Sequence, residues 1–177
     1  TQAAQSGRLS ERSTKVRTIF ARFGMIGLAV ATVGCDRVTK HFATRLLEGE
    51  PARSYLGDTV RVTYAENVGG FLSLGGNLPD RARTAIFPIG TGPVLLALAV
   101  VALRGRWSGM RLAAVVLFLA GGASNWIDRA LQGSVVDFLN VGLGPVRTGI
   151  FNVADVGVML GAFLLLLAEL GSRSTAR

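Results

Sequence analysis

The chain has 177 residues, half of them hydrophobic, with 19 Lys and Arg against 11 Asp and Glu, one His and one Cys. A mean hydropathy of +0.45, with the apolar residues gathered in long blocks, excludes an ordinary soluble domain and points to one integral membrane domain. The lone Cys35 excludes an internal disulfide and is expected to be a small buried thiol, while the lone His41 excludes a zinc site of His and Cys ligands.

Residues 1–18 are polar and rich in Ser, Thr and Arg, which predicts an unstructured cytosolic tail. The first apolar block is uncharged over 23–35 and reaches back to Ile19 if Arg22 snorkels to the interface, so a helix is expected over about 19–36. Three further blocks predict helices over about 85–103, 112–128 and 150–169, the last with Asp155 as its one charge until Glu169. About 20 apolar residues cross a bilayer, so four transmembrane helices are expected in a single domain over 19–172, followed by a short cytosolic tail over 173–177.

Charge sets the orientation, because Lys and Arg concentrate in cytoplasmic segments. Arg8, Arg12, Lys15, Arg17 and Arg22 precede the first block, Arg104, Arg106 and Arg111 join the second to the third, and Arg173 and Arg177 end the chain. These ten cations against Glu11 and Glu169 account for the whole formal net charge of +8. Both termini are therefore expected in the cytoplasm and the loops 41–83 and 129–149 outside. The basic rim needs no nucleic acid to explain it, since it can rest on anionic membrane lipid.

In the first outer loop, Val60, Val62 and Tyr64 alternate with Arg61, Thr63 and Ala65, the period of a half-exposed strand, so a small extracytoplasmic β-sheet is expected. It leads into Asn67-Val68-Gly69-Gly70-Phe71-Leu72-Ser73-Leu74-Gly75-Gly76, where glycines allow tight turns and close approach to a ligand. Asn77 and Pro79 then suggest the cap and first turn of a short interfacial helix. The resulting fold class is an all-α membrane protein of four transmembrane helices with a small sheet and a short interfacial helix.

Polar residues converge at the outer ends of these helices. Asp36 and Lys40 share a face of the first helix, and Asn125, Asp128 and Arg129 stand three and four apart on the third. Asp137 lies in the loop that follows, while Asp155 is expected about five residues into the fourth helix with Asn152 one turn above it. Gly157 and Gly161 form a small-xxx-small pair suited to helix packing. Charges inside apolar segments are costly, and Asp155 has no basic residue within seven positions. A transporter would space such groups across the bilayer; these cluster at one interface. With no usable His and no Ser nucleophile in a recognisable setting, the remaining hydrolytic chemistry is a carboxylate pair that activates water, one partner protonated and the other not.

At these residues the chain resembles the lipoprotein signal peptidase family, also called signal peptidase II. The resemblance rests on Asp36-Arg37-Val38-Thr39-Lys40, on Asn67-Val68-Gly69 with Ser73, on Asn125-x-x-Asp128-Arg129 with Gly133 and Val136-Asp137-Phe138, and on Phe151-Asn152-x-Ala154-Asp155, in family order across residues 36–161. It implies a bacterial inner-membrane aspartic endopeptidase, acting as a monomer without metal or organic cofactor at the outer leaflet. Its substrates would be diacylglyceryl-modified prolipoproteins, cut just before the lipidated Cys. On that likeness Asp137 and Asp155 are the catalytic pair. Asn67, Gly69, Asn125, Arg129 and Asn152 line the substrate groove, Asp36 and Lys40 brace the first helix, and Asp128 orients Arg129. The chain departs from the family where Ser124 replaces Gly, where Arg37 replaces Gln, and at Gly70-Phe71-Leu72, where Phe71 would narrow the groove.

Overall fold

The computed structural model describes residues 2–70, 75–105, 107 and 109–174, with side chains described over 20–70, 75–105, 107 and 109–172. The element order is α1 (Gln2–Leu47), β1 (Arg53–Tyr55), β2 (Val60–Asn67), α2 (Asp80–Thr84), a π-helical segment (Ala85–Gly90), α3 (Thr91–Arg104), α4 (Gly109–Gln132), β3 (Val135–Leu143), β4 (Val146–Arg147) and α5 (Val153–Ser174). The protein is mostly helical, and among the described residues three stretches are long and apolar enough to cross a membrane: Asp80–Arg104, Gly109–Gln132 and Val153–Ser172.

Helix α1 is longer than expected at both ends. Its backbone is helical from Gln2, where the sequence predicted an unstructured tail, and this segment does hold many good helix formers such as Ala3, Ala4, Gln5, Leu9 and Glu11. At the other end α1 continues to Leu47, because Ala43 and Leu47 are buried against Phe138 of the sheet and continue the amphipathic pattern past Asp36. Cys35 is exposed on α1 and not buried, since the face that packs inward is the one carrying Asp36 and Lys40.

Helix α4 is the centre of the helical part, touching α1, α3 and α5. The packing of α5 needs glycine: a Cβ at Gly161 would come within 2.6 Å of the Ala114 carbonyl oxygen of α4, and one at Gly157 within 3.2 Å of Thr32 of α1 and 3.4 Å of the Leu117 carbonyl oxygen of α4. The small-xxx-small pair is thus a packing surface. Large apolar side chains such as Leu96, Leu103, Phe163 and Leu166 point outward, as suits helices whose surroundings are lipid.

The short helix α2 does not stand apart. It passes without a break into the π segment and α3, and Pro79, not Asn77, sits at its N-cap, with no side-chain cap. Pro88 lies inside the π segment, whose widened turn is pinned where the Trp126 Nε1–H donates to the Pro88 carbonyl at 2.7 Å.

The sheet is antiparallel with order β1-β2-β3-β4. Residues 135–143, assigned from sequence to an outer loop, form the central strand β3, whose alternation is hidden by the run Val135-Val136 and by the buried acid Asp137. An irregular step in β2 between Val62 and Ala65 sets the register that follows, in which Ala65 pairs with Asp137, Glu66 with Val136 and Asn67 with Val135. Asn67 and Asp137 therefore share one face of the sheet, and Glu66 and Val136 share the other.

Candidate active site

The carboxylate of Asp137 projects from β3 and is 2% exposed. Its Oδ2 accepts from Asn67 Nδ2 at 2.9 Å and its Oδ1 from Asn152 Nδ2 at 2.6 Å. Burial pushes its pKa up to about 6, and the neighbouring Asp155 charge adds to that; the amides of Asn67 and Asn152 and the charge of Lys40 oppose it.

Asp155 is in the first turn of α5, nearer the helix start than the sequence reading placed it, because the helix begins at Val153. Residues Ile150 to Asn152 are loop, fastened to β3 by the Leu139–Phe151 bridge. Asp155 Oδ1 accepts from Asn125 Nδ2 at 2.9 Å, and Oδ2 from the backbone N–H of Asn152 at 3.1 Å. The Asn152 Oδ1 in turn accepts the Asp155 N–H at 3.0 Å, which makes a capping box in which a carboxylate favoured at a helix N-terminus is held in one orientation. Asn152 also donates to Asn125 Oδ1 at 3.2 Å. Both acids are thus tied to Asn152, and Asn125 joins Asp155 to the same asparagine.

Behind this pair lies a buried ionic hub. Lys40 Nζ reaches Asp36 Oδ2 at 2.6 Å, Asn125 Oδ1 at 2.7 Å and Asp128 Oδ2 at 2.7 Å, using all three of its donors. Asp36 is fully buried; it also accepts from Ser124 Oγ at 2.7 Å and, through Oδ1, from the Ala154 backbone N–H at 2.9 Å. Asp36 therefore does more than brace α1, since it caps the start of α5 one residue before Asp155. Among the described residues no buried side-chain polar atom lacks a partner, as a fully connected network requires.

One expectation is corrected by this geometry. Asp128 does not orient Arg129, because consecutive residues of a helix face different ways; it pairs instead with Lys40 and with the Arg37 guanidinium. Arg129 donates from Nε to the Gly69 carbonyl at 2.8 Å, with its guanidinium carbon 5.8 Å from the centre of the Phe87 ring. Gly69 is held from its other side by its N–H, which donates to Asn67 Oδ1 at 2.9 Å. Arg129 also lines a cavity of about 480 Å³ with Val68, Arg83, Phe87 and Gly133. The sequence reading brought Asn67, Gly69, Asn125, Asn152, Asp137 and Asp155 to one place, and the structure assembles them there. It missed Arg37 and Ser124 as members of the hub, for which the sequence offers no signal beyond the one-residue offset of each from Asp36 and Asn125.

The signal peptidase II family model matches residues 28–170, which includes every one of these side chains. The chain belongs to the signal peptidase II family. It is 36% identical to a lipoprotein signal peptidase of Sphingopyxis alaskensis over 89% of this chain and 90% of that one. A lipoprotein signal peptidase of Hydrogenovibrio crunogenus is 35% identical over 80% and 82%. Two solved bacterial membrane enzymes, both determined by the in meso method, match with TM-scores of 0.74 and 0.71 at 26% and 28% identity. They cover 87% and 83% of this chain and 92% of their own. As a signal peptidase II the chain is a membrane protease, and two of its departures from the family pattern interlock. Ser124 donates to Asp36, while Arg37 donates from Nη2 to the Ser124 carbonyl at 2.9 Å. The other departure, Phe71, and the motif residue Ser73 lie outside the described residues.

Proposed function

We propose that this signal peptidase II is an aspartic endopeptidase that removes the signal peptide from diacylglyceryl-modified prolipoproteins, cutting before the lipidated Cys. The observation that carries the reading is the sharing of Asn152 by two buried carboxylates: Asn152 holds Asp137 through its side chain and Asp155 through its backbone, while Asn125 holds Asp155 and Asn67 holds Asp137. Like charges this close in a desolvated site favour a single shared proton, so one carboxyl acts as acid while its partner takes a proton from water. The attacking water forms the new C–O bond at the scissile carbonyl. The protonated carboxyl supplies the proton that the leaving amine requires.

Arg129 and Gly69 support substrate placement beside that pair. Arg129 fixes the Gly69 carbonyl, so the loop that leaves β2 is held against α4 at the edge of the cavity. The hub of Asp36, Lys40 and Asp128 acts on the chemistry through Asn125, through the start of α5 and through the charge of Lys40 on Asp137.

The protein is read as a bacterial inner-membrane monomer of four transmembrane helices, α1 among them, with both termini cytoplasmic and the site at the outer leaflet. The charge split along the sequence supports this placement.

Cleavage of a synthetic diacylglyceryl lipopeptide by the purified chain in detergent tests the reading. Turnover unaffected by chelator, and lost in both Asp137→Asn and Asp155→Asn while each variant stays folded, is the expected result. Robust turnover by Asp155→Asn, or dependence on a metal, would overturn it.

A further inference from the structure

On the face of the sheet away from the dyad, a cavity of about 400 Å³ lies between α1, the end of α4 and strands β2 and β3. Its walls carry two opposite charges that have no ion-pair partner. Arg45 is exposed on α1, one turn beyond His41 and two beyond Arg37, and forms none of the ion pairs among the described residues. Across from it, Glu66 receives only neutral donors, the Tyr64 hydroxyl at 2.9 Å and the Ser134 hydroxyl at 3.3 Å. The remaining ions in the wall, Lys40, Asp128 and Arg37, are matched to one another.

We propose that this cavity binds the headgroup of a membrane phosphatidylethanolamine, with the phosphodiester on Arg45 and His41 and the ammonium on Glu66. The chemistry selects among headgroups. A purely anionic lipid leaves the Glu66 carboxylate facing a like charge, and a choline has no N–H to donate to it. An ammonium on a two-carbon tether from its phosphate satisfies both walls.

Position supports the assignment. On the reading that α1 crosses the membrane, Asp36 stands near the end of the hydrocarbon layer. Residues 37–45 then rise about 12 Å further, at 1.5 Å per residue, through the headgroup layer. Tyr64, with its ring in the cavity wall and its hydroxyl on Glu66, is of the residue type that settles at this depth.

The test reconstitutes the full chain in vesicles of equal phosphatidylethanolamine, phosphatidylglycerol and phosphatidylcholine, extracts it in mild detergent, and counts retained lipid by native mass spectrometry. Preferential retention of one phosphatidylethanolamine is expected, with about a tenfold loss in Arg45→Ala. Glu66→Gln should remove the preference over phosphatidylglycerol. Both side chains are exposed, and an unchanged thermal midpoint verifies that the variants fold. Equal retention of the three lipids by the unaltered chain, or undiminished phosphatidylethanolamine in a variant that combines Arg45→Ala with Glu66→Gln, would overturn the proposal. So would binding of soluble glycerophosphoethanolamine in place of the lipid. Lipid counting is independent of turnover, and cysteine labelling at position 58 reads the topology separately, so failure here is distinguishable from failure of the peptidase reading.

Discussion

Asn152 and Asp155 cap one another: the Asn152 side chain accepts the Asp155 N–H at 3.0 Å, and the Asp155 carboxylate accepts the Asn152 N–H at 3.1 Å. The first turn of α5 is therefore built by one member of the proposed catalytic pair and by the residue that ties it to Asp137. A helix terminus and the proposed active site share their atoms, which explains how a carboxylate is held at the head of an apolar segment without a salt bridge.

Asn152→Ala should separate the two roles. Loss of the cap costs about 1 kcal/mol of stability, a modest drop in thermal midpoint. Turnover of the lipopeptide should fall by at least two orders of magnitude, since the substitution frees both carboxylates at once. Measurement of midpoint and kcat on the same preparation checks it; a fall in midpoint with kcat unchanged would show the residue to be a cap alone.

The hub behaves differently. Asp128→Asn leaves the buried Lys40 with one carboxylate partner and the Arg37 guanidinium with none, and breaking such a pair costs about 3 to 5 kcal/mol. Its thermal midpoint should fall further than that of Asn152→Ala, yet its turnover when folded should exceed that of either dyad variant, because Asp128 touches neither acid. Turnover as low as that of Asp155→Asn, with the midpoint unchanged, would place Asp128 in the chemistry itself.

How far the sequence exposed all this depends on the range of the interaction. Spacing along one helix put Asp36 with Lys40 and Asn125 with Asp128, and hydropathy marked the three apolar stretches that include α3, α4 and α5. Pairings between elements were not legible. Nothing local states that Asp36 caps α5, that Arg37 reaches Ser124, or that Asp137 lies on a strand beside Asn67, since each partner is 70 or more residues away in sequence. The extension of α1 to Leu47 was hidden for the same reason: the sheet that buries Ala43 and Leu47 comes from distant segments.

Topology admits a direct measurement. Cys35 is exposed on α1, so labelling must start from a Cys35→Ser background in which no thiol remains. A cysteine placed at Asp58, in the turn between β1 and β2, should then react with a membrane-impermeant maleimide added from outside the inner membrane. Reaction only from the cytoplasmic side would invert the assignment of the loops and of the site with them.

The proton on the pair is the last quantity that the geometry fixes. An ordinary Asp titrates near 3.8, and burial lifts Asp137 to about 6. Between these two values the folded state holds a proton that the unfolded chain has released. Stability should therefore fall as pH rises through that window and level off above it, opposite to the behaviour of a salt-bridged carboxylate. In the proposed mechanism the same proton serves turnover. The rate should drop on the acid side as the base becomes protonated, and on the alkaline side as the pair loses its remaining proton at or above about 6. Thermal midpoints of the native chain and of Asp137→Asn, measured side by side from about pH 4 to pH 8, isolate the contribution of the coupled pair, because titrations remote from it are common to both. The midpoint difference between them should change across pH 4 to 6 and stay constant beyond. A constant difference throughout, together with a saturating lipopeptide rate flat from about pH 4 to pH 9, would rule out a shared proton and the acid–base roles built on it.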